Sequence, residues 1–144
     1  MTKMNKISLS CGLLLLTFGA FSKDLRNENS ANDRITTQIA CMKELAKVGI
    51  PLGGVWIGYV TTSCQQVVEH SVANEFVSCM SALRNAGMGV QFSPNLAYAF
   101  SDCENESLKG SSEDYSLCMS TLADSGLDLN GRNIGYASTS CTKN

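Results

Sequence analysis

The chain is poor in groups that shuttle protons near neutral pH. It has one histidine, His70, among 144 residues. A Ser–His or Cys–His pair therefore has a single candidate base, and no nucleophile-elbow motif frames any serine. Catalysis would have to be a hydrolase-like activity in a cleft around His70. The favoured expectation is a protein that is not an enzyme, with His70 a residue of a connector helix.

Other absences narrow the field further. There is no C-x-x-C, and among the cysteines from Cys41 onward the closest neighbours are separated by 14 residues. Structural zinc sites and redox dithiols use much closer pairs, so neither a metal nor another cofactor is expected. The acidic pairs Glu104/Glu106 and Glu113/Asp114 lack the alternation, glycine and closing glutamate of a calcium loop, and read as a solvated loop. There is no basic excess: the formal charge is −2, which argues against a nucleic-acid partner. No apolar run reaches the roughly 18 residues of a membrane span.

The N-terminus has the composition of an export signal. Lys3 and Lys6 precede an uncharged apolar stretch from Ile7 to Phe21, and Ala20-Phe21-Ser22 places small residues at −3 and −1 of a cut before Lys23. The alternative is an N-terminal core helix or an uncleaved anchor. Cleavage would remove Cys11 and reduce seven cysteines to six. An even, regularly spaced set in an oxidising compartment reads as three disulfides. The mature chain would carry nine Lys and Arg against thirteen Asp and Glu, a net charge of −4, with no stable membrane anchor. Residues 1–22 are thus expected to be a signal peptide and 23–33 a flexible polar leader. Residues 34–144 are expected to form one domain, exported to the periplasm or the extracellular space.

Within that domain the sequence says nearly the same thing three times. The first halves read CMKELAKVGIPL, CMSALRNAGMGV and CMSTLADSGLDL; the second halves read VWIGYVTTSC, PNLAYAFSDC and RNIGYASTSC. First cysteines stand at 41, 79 and 118 and second ones at 64, 103 and 141. The period of 38–39 residues is that of helical-hairpin arrays, with copies at about 34–70, 71–109 and 110–144.

The first halves read as helices. Phe76, Met80 and Leu83 fall at i, i+4 and i+7, and Gly49, Gly87 and Gly126 stand where a helix needs a left-handed terminator. Ser111 resembles an N-cap. The second halves are ambiguous: Val55 to Thr62 alone would pass for a strand. The middle copy decides, because Ser93-Pro94 is a helix start and two alanines follow. The fold expected is all-α, three tandem αα-hairpins stacked as a short array.

Cys79 lies eight residues before Gly87 and Cys103 nine after Pro94. At about 1.5 Å per helical residue, both sit roughly 12–13 Å from the turn. Pairing within each copy is therefore favoured: Cys41–Cys64, Cys79–Cys103 and Cys118–Cys141. Its rival joins neighbouring copies, Cys64–Cys79 and Cys103–Cys118, leaving Cys41 for Cys141. The small residues Gly58, Ala97 and Gly135 are expected to let the two helices of a hairpin approach. Helix is expected to continue past Cys64, whereas 104–114 is expected to be a loop bearing the formal glycosylation triplet Asn105-Glu106-Ser107. The architecture resembles in kind the Sel1-like repeats, whose cysteine-rich secreted members staple αα-hairpins with disulfides. Their close cysteine pair and their Ala and Gly pattern are missing here, and the resemblance implies architecture alone.

Tyr59, Tyr98 and Tyr136 recur at one repeat position and are the candidate binding residues, together with Trp56, whose counterparts are Asn95 and Asn133. Aromatic side chains on one face could anchor a protein, peptide or glycan; the favoured reading of the tyrosines is that they pack between hairpins with their hydroxyls at the rim, since residues shared by all copies usually serve the fold. The functional expectation is a non-enzymatic interaction or ligand-binding module. Its alternative is a secreted inhibitor or effector acting through a variable loop, Gly53-Gly54 with Trp56 or 104–114.

Overall fold

A computed structural model describes residues 15–91 and 93–142, with side chains from Ser30 onward except those of 93 and 94. The proposed signal segment falls mostly outside the described residues, and Cys11 wholly so. The chain divides into two compact units, 1–33 and 34–144. Among the described residues there are six helices and no strand: α1 (Leu15–Lys47), α2 (Trp56–Glu69), α3 (Ala73–Asn85), α4 (Ser93–Lys109), α5 (Ser112–Asp124) and α6 (Asn133–Cys141). Within 34–144 they make three hairpins: the last turns of α1 with α2, α3 with α4, and α5 with α6.

One local device ends five of the six helices. At the end of α1, Gly49 adopts φ +84°, Ile50 N–H donates to the Leu45 carbonyl and Gly49 N–H to that of Ala46. That is a Schellman motif, and its apolar partners Ile50 and Leu45 are both buried. Gly87 and Gly126 repeat it on α3 and α5, each at φ +97°. The ends of α2 and α4 use the same bonds, Val72 N–H to Val67 O and Ser111 N–H to Glu106 O. In α4 the left-handed residue is Gly110; in α2 it is Ser71, at φ +61°, a conformation that crowds any side chain.

The staples are those expected within each copy. Cys41–Cys64, Cys79–Cys103 and Cys118–Cys141 are bonded, with Cα separations of 5.8, 5.7 and 5.7 Å. The periodic face of α3 lines the core, where Phe76, Met80 and Leu83 are fully buried. Successive hairpins stack like on like: α3 lies against α5, while α2 lies against α4 and α4 against α6. Neither layer covers itself, so each hairpin uses its neighbour as cover.

Two polar side chains tie the turns of successive hairpins together. Arg84, near the end of α3, donates from Nε to the Val48 carbonyl at 3.3 Å and from Nη1 to its own turn at Met88 O. Asn130, in the third turn, accepts from Gly89 N–H at 2.8 Å and from Asn95 Nδ2 at 3.2 Å. A Cβ at Gly89 would fall 2.5 Å from Asn130 Oδ1, so any side chain there would push the Asn130 amide from the position in which it accepts the Gly89 N–H.

Several expectations are corrected. Residues 23–33 lie within α1; the absence of an apolar period argues against burial, not against helix. Helix α4 runs on to Lys109, so 104–109 is not loop. The triplet Asn105-Glu106-Ser107 is helical, with Ser107 buried. Glu106 is buried too, hence no solvated acid. Ser111 holds the N-cap position of α5 without capping it; its hydroxyl donates to Glu106 Oε2 at 2.5 Å instead.

Two predictions follow from this framework. Ser71→Gly should raise stability by about 0.5–1 kcal/mol by removing the left-handed penalty, seen as a higher urea midpoint with unchanged slope. Removing the central staple, Cys79→Ser with Cys103→Ser, should lower stability by roughly 3 kcal/mol, as expected for a loop of this size. A loss comparable to that of an exposed-surface substitution would show that stacking alone holds the hairpin.

Candidate functional site

The outer surface between α2 and α4 carries a groove of about 400 Å³. Its apolar end is Val55, Tyr59, Ala97 and Phe100, and its polar end is Thr62, Ser101, Glu104 and Asn105. The backbone explains the division. The N-cap position 55 and positions 59 and 62 of α2 share one face, and 97, 101, 104 and 105 lie on one face of α4, so one stripe from each helix meets across the cleft.

An aromatic run connects this groove to the core. Trp56 and Tyr59 have ring centroids 5.9 Å apart, Tyr59 stacks over Phe100 at 6.3 Å and 25°, and Phe100 meets Phe76 at 5.9 Å. Phe76 and Phe100 are buried, whereas Tyr59 is about half exposed. The exposed ring is therefore held by packing from below, which limits the rotamer freedom lost on contact with a partner.

The four candidate aromatics do not form one site. Trp56 and Tyr59 come together. Tyr98 leans on α6, where a Cβ at Gly135 would lie 3.4 Å from its ring. Tyr136 is the most exposed of the three tyrosines. Gly135 thus makes room for a side chain of the preceding hairpin, not for its own hairpin partner as expected. His70 is exposed at the C-cap of α2, with Nδ1 2.9 Å from the Gln66 carbonyl. Among the described residues no three of His, Cys, Asp and Glu gather as a metal-ligand set. Phe100, which completes the aromatic run, was not singled out in the sequence. Its signal was a break in the repeat, since the equivalent residues are Thr61 and Ser138.

A polar cluster lies between the second and third hairpins. Ser138 Oγ donates to Asp102 Oδ2, and the Tyr115 hydroxyl reaches the same oxygen at 3.4 Å. Burial raises the Asp102 carboxyl above its ordinary value of 3.8, against the two hydrogen bonds, which lower it. Burial also holds the Tyr115 phenol well above its usual range. One turn along α4, burial pushes Glu106 up, but the Ser111 hydrogen bond and Lys109, at 2.9 Å, outweigh it and bring the carboxyl below 4.5.

These two carboxylates should pull stability in opposite directions with pH. Folded Asp102 keeps its proton to higher pH than the unfolded chain does, so it subtracts stability as pH rises from 3.8 through its raised value. Glu106 contributes stability that is present above 4.5 and lost as pH falls through its lowered value. Asp102→Asn should accordingly gain stability over the wild type at neutral pH, with the gain vanishing below 3.8. Glu106→Gln should lose stability at neutral pH, with the loss vanishing in acid. Denaturant titrations across pH 2–8 of both variants check this; parallel pH profiles would refute it.

Comparison with protein-family models, with curated proteins and with solved structures finds no match.

Proposed function

We propose that this is a non-catalytic interaction module, exported to the periplasm or the extracellular space, which holds a segment of a partner protein in the α2–α4 groove. The observation that carries the reading is the aromatic run Trp56–Tyr59–Phe100–Phe76, which supports an exposed ring beside a cleft. Partly buried aromatic anchors of this kind dominate binding energy at protein interfaces. The groove's two ends suit a segment with an apolar side chain for Val55, Tyr59 and Phe100, and a donor or cation for Glu104 and Asn105. Export is supported by three disulfides, which persist in oxidising compartments, and by the signal-like composition of the N-terminus. Among the described residues no helix is long and apolar enough to cross a membrane.

The alternative, an inhibitor or effector acting through a loop, draws on the first turn, where Leu52 and Val55 are exposed beside Gly53-Gly54. Its second expected loop, 104–114, is largely helix.

Selection from a displayed peptide library by the disulfide-bonded protein tests the groove. Tyr59→Ala should weaken the selected peptides at least about 10-fold, equivalent to about 1.4 kcal/mol, and Glu104→Gln should weaken those carrying a cation. Tyr136→Ala should bind as wild type does. Equal binding by Tyr59→Ala, or no selection at all, would sink the groove. Loss of activity against a target enzyme on Leu52→Ser, with peptide selection intact, would favour the inhibitor.

A further inference from the structure

The repeat lets each hairpin be compared with itself in a different setting. Among the described residues the second and third hairpins follow another hairpin and the first does not. Ile57, Leu96 and Ile134 occupy one repeat position, and Leu96 and Ile134 are fully buried while Ile57 is 40% exposed. Gly135 is covered by the Tyr98 ring, whereas a Cβ at its equivalent, Gly58, would meet nothing within 4 Å. On α1, Ile35 and Ile39 are 54% and 46% exposed. Their equivalents on α5, Ser112 and Ser116, line the cleft against α3. The first hairpin thus presents the receiving half of the stacking interface, with three isoleucines where a polar capping face would be expected of a closed array.

The opposite end presents the other half. Tyr59 and Tyr98 each lean on the next hairpin and are 46% and 48% exposed, while Tyr136 is 73% exposed. The residue before the closing cysteine is buried as Ser63, half-buried as Asp102 and exposed as Ser140. Leu117 is 66% exposed, beside a groove of about 460 Å³ whose walls include Leu122 and both cysteines of the third disulfide. Charge distinguishes the ends in the same sense. The first hairpin carries Arg34, Lys43 and Lys47 against Glu44 and Glu69; the third copy carries Glu113, Asp114, Asp124 and Asp128 against Arg132 and Lys143.

We infer that the protein associates with itself head to tail: the third hairpin of one copy docks on the first hairpin of the next, continuing the stack already formed twice within the chain. Tyr136 would lie on Gly58 as Tyr98 lies on Gly135, and Leu117 would meet the Ile35–Ile39 face. The occupant is a second copy because both halves of one repeated interface, and their opposite charge, are on the same chain. Such an interface is heterologous, so it propagates into a filament unless the rotation closes a ring. The interface shares Gly58 with the lining of the α2–α4 groove, but it rests on the repeat and not on the proposed function.

Sedimentation velocity on the full disulfide-bonded protein tests it. Species beyond the dimer should grow with concentration up to about 1 mM, the weak end of specific affinity, and shrink with added salt. Two blocked variants separate this geometry from a two-fold dimer. Tyr136→Glu with Leu117→Glu blocks one end; Ile35→Glu with Ile39→Glu blocks the other, and Gly58→Arg is a second block there in open space. All these positions are exposed, and circular dichroism with a disulfide map confirms folding. Each blocked variant alone should be monomeric, yet mixing opposite blocks one to one should restore a dimer and nothing larger. A monomeric wild type at the highest concentration, a wild-type oligomer that the blocks leave intact, or a mixture that stays monomeric would each overturn the inference.

Discussion

Each hairpin is pinned by one disulfide whose Cα atoms stand 5.7–5.8 Å apart. At that separation the two helices touch along one face only. Short helices are marginal in water on their own, and a pair joined this way still leaves apolar surface on both flanks. The covalent bond supplies what a small core cannot, and the flanks determine that the hairpins must stack. Buried Phe76, Met80 and Leu83 belong to a core that no single hairpin encloses.

Stacking in turn sets where specific features arise. A repeat position serves the fold wherever its environment repeats, as with the left-handed glycines that end α1, α3 and α5. Where the copies differ, the difference has a local cause. Arg84 replaces the alanines Ala46 and Ala123 and ties the first turn to the second. Asn130 ties the second turn to the third, and Gly89 yields space to it. Phe100 replaces Thr61 and Ser138 and anchors the aromatic run beneath the α2–α4 groove.

The polar cluster around Asp102 and Glu106 follows the same logic from the other side. Two carboxylates one turn apart on α4 meet different surroundings: Asp102 faces Ser138 and Tyr115, and Glu106 faces Ser111 and Lys109. At Asp102 burial prevails over the hydrogen bonds, whereas at Glu106 the Ser111 hydrogen bond and Lys109 together prevail over burial. In the sequence Glu106 read as an acid of a solvated loop, because nothing local marks α4 as continuing to Lys109.

What the sequence alone determined was everything that repeats. The helices, their glycine terminators and the pairing of cysteines within each copy were legible because each rests on short-range periodicity, on backbone sterics or on matched distances from a turn. Apart from the extent of α1 and α4, its errors fell where the deciding contact came from another hairpin. Gly135 was read as spacing for its own partner helix and instead receives Tyr98; Ser111 was read as a cap and instead serves Glu106; the recurring tyrosines were read as one set, and the stack leaves them unequally exposed. Only the tertiary structure could decide these, because a residue's local pattern carries no information about which neighbour covers it, and the two ends of an array are identical in pattern but not in what they touch.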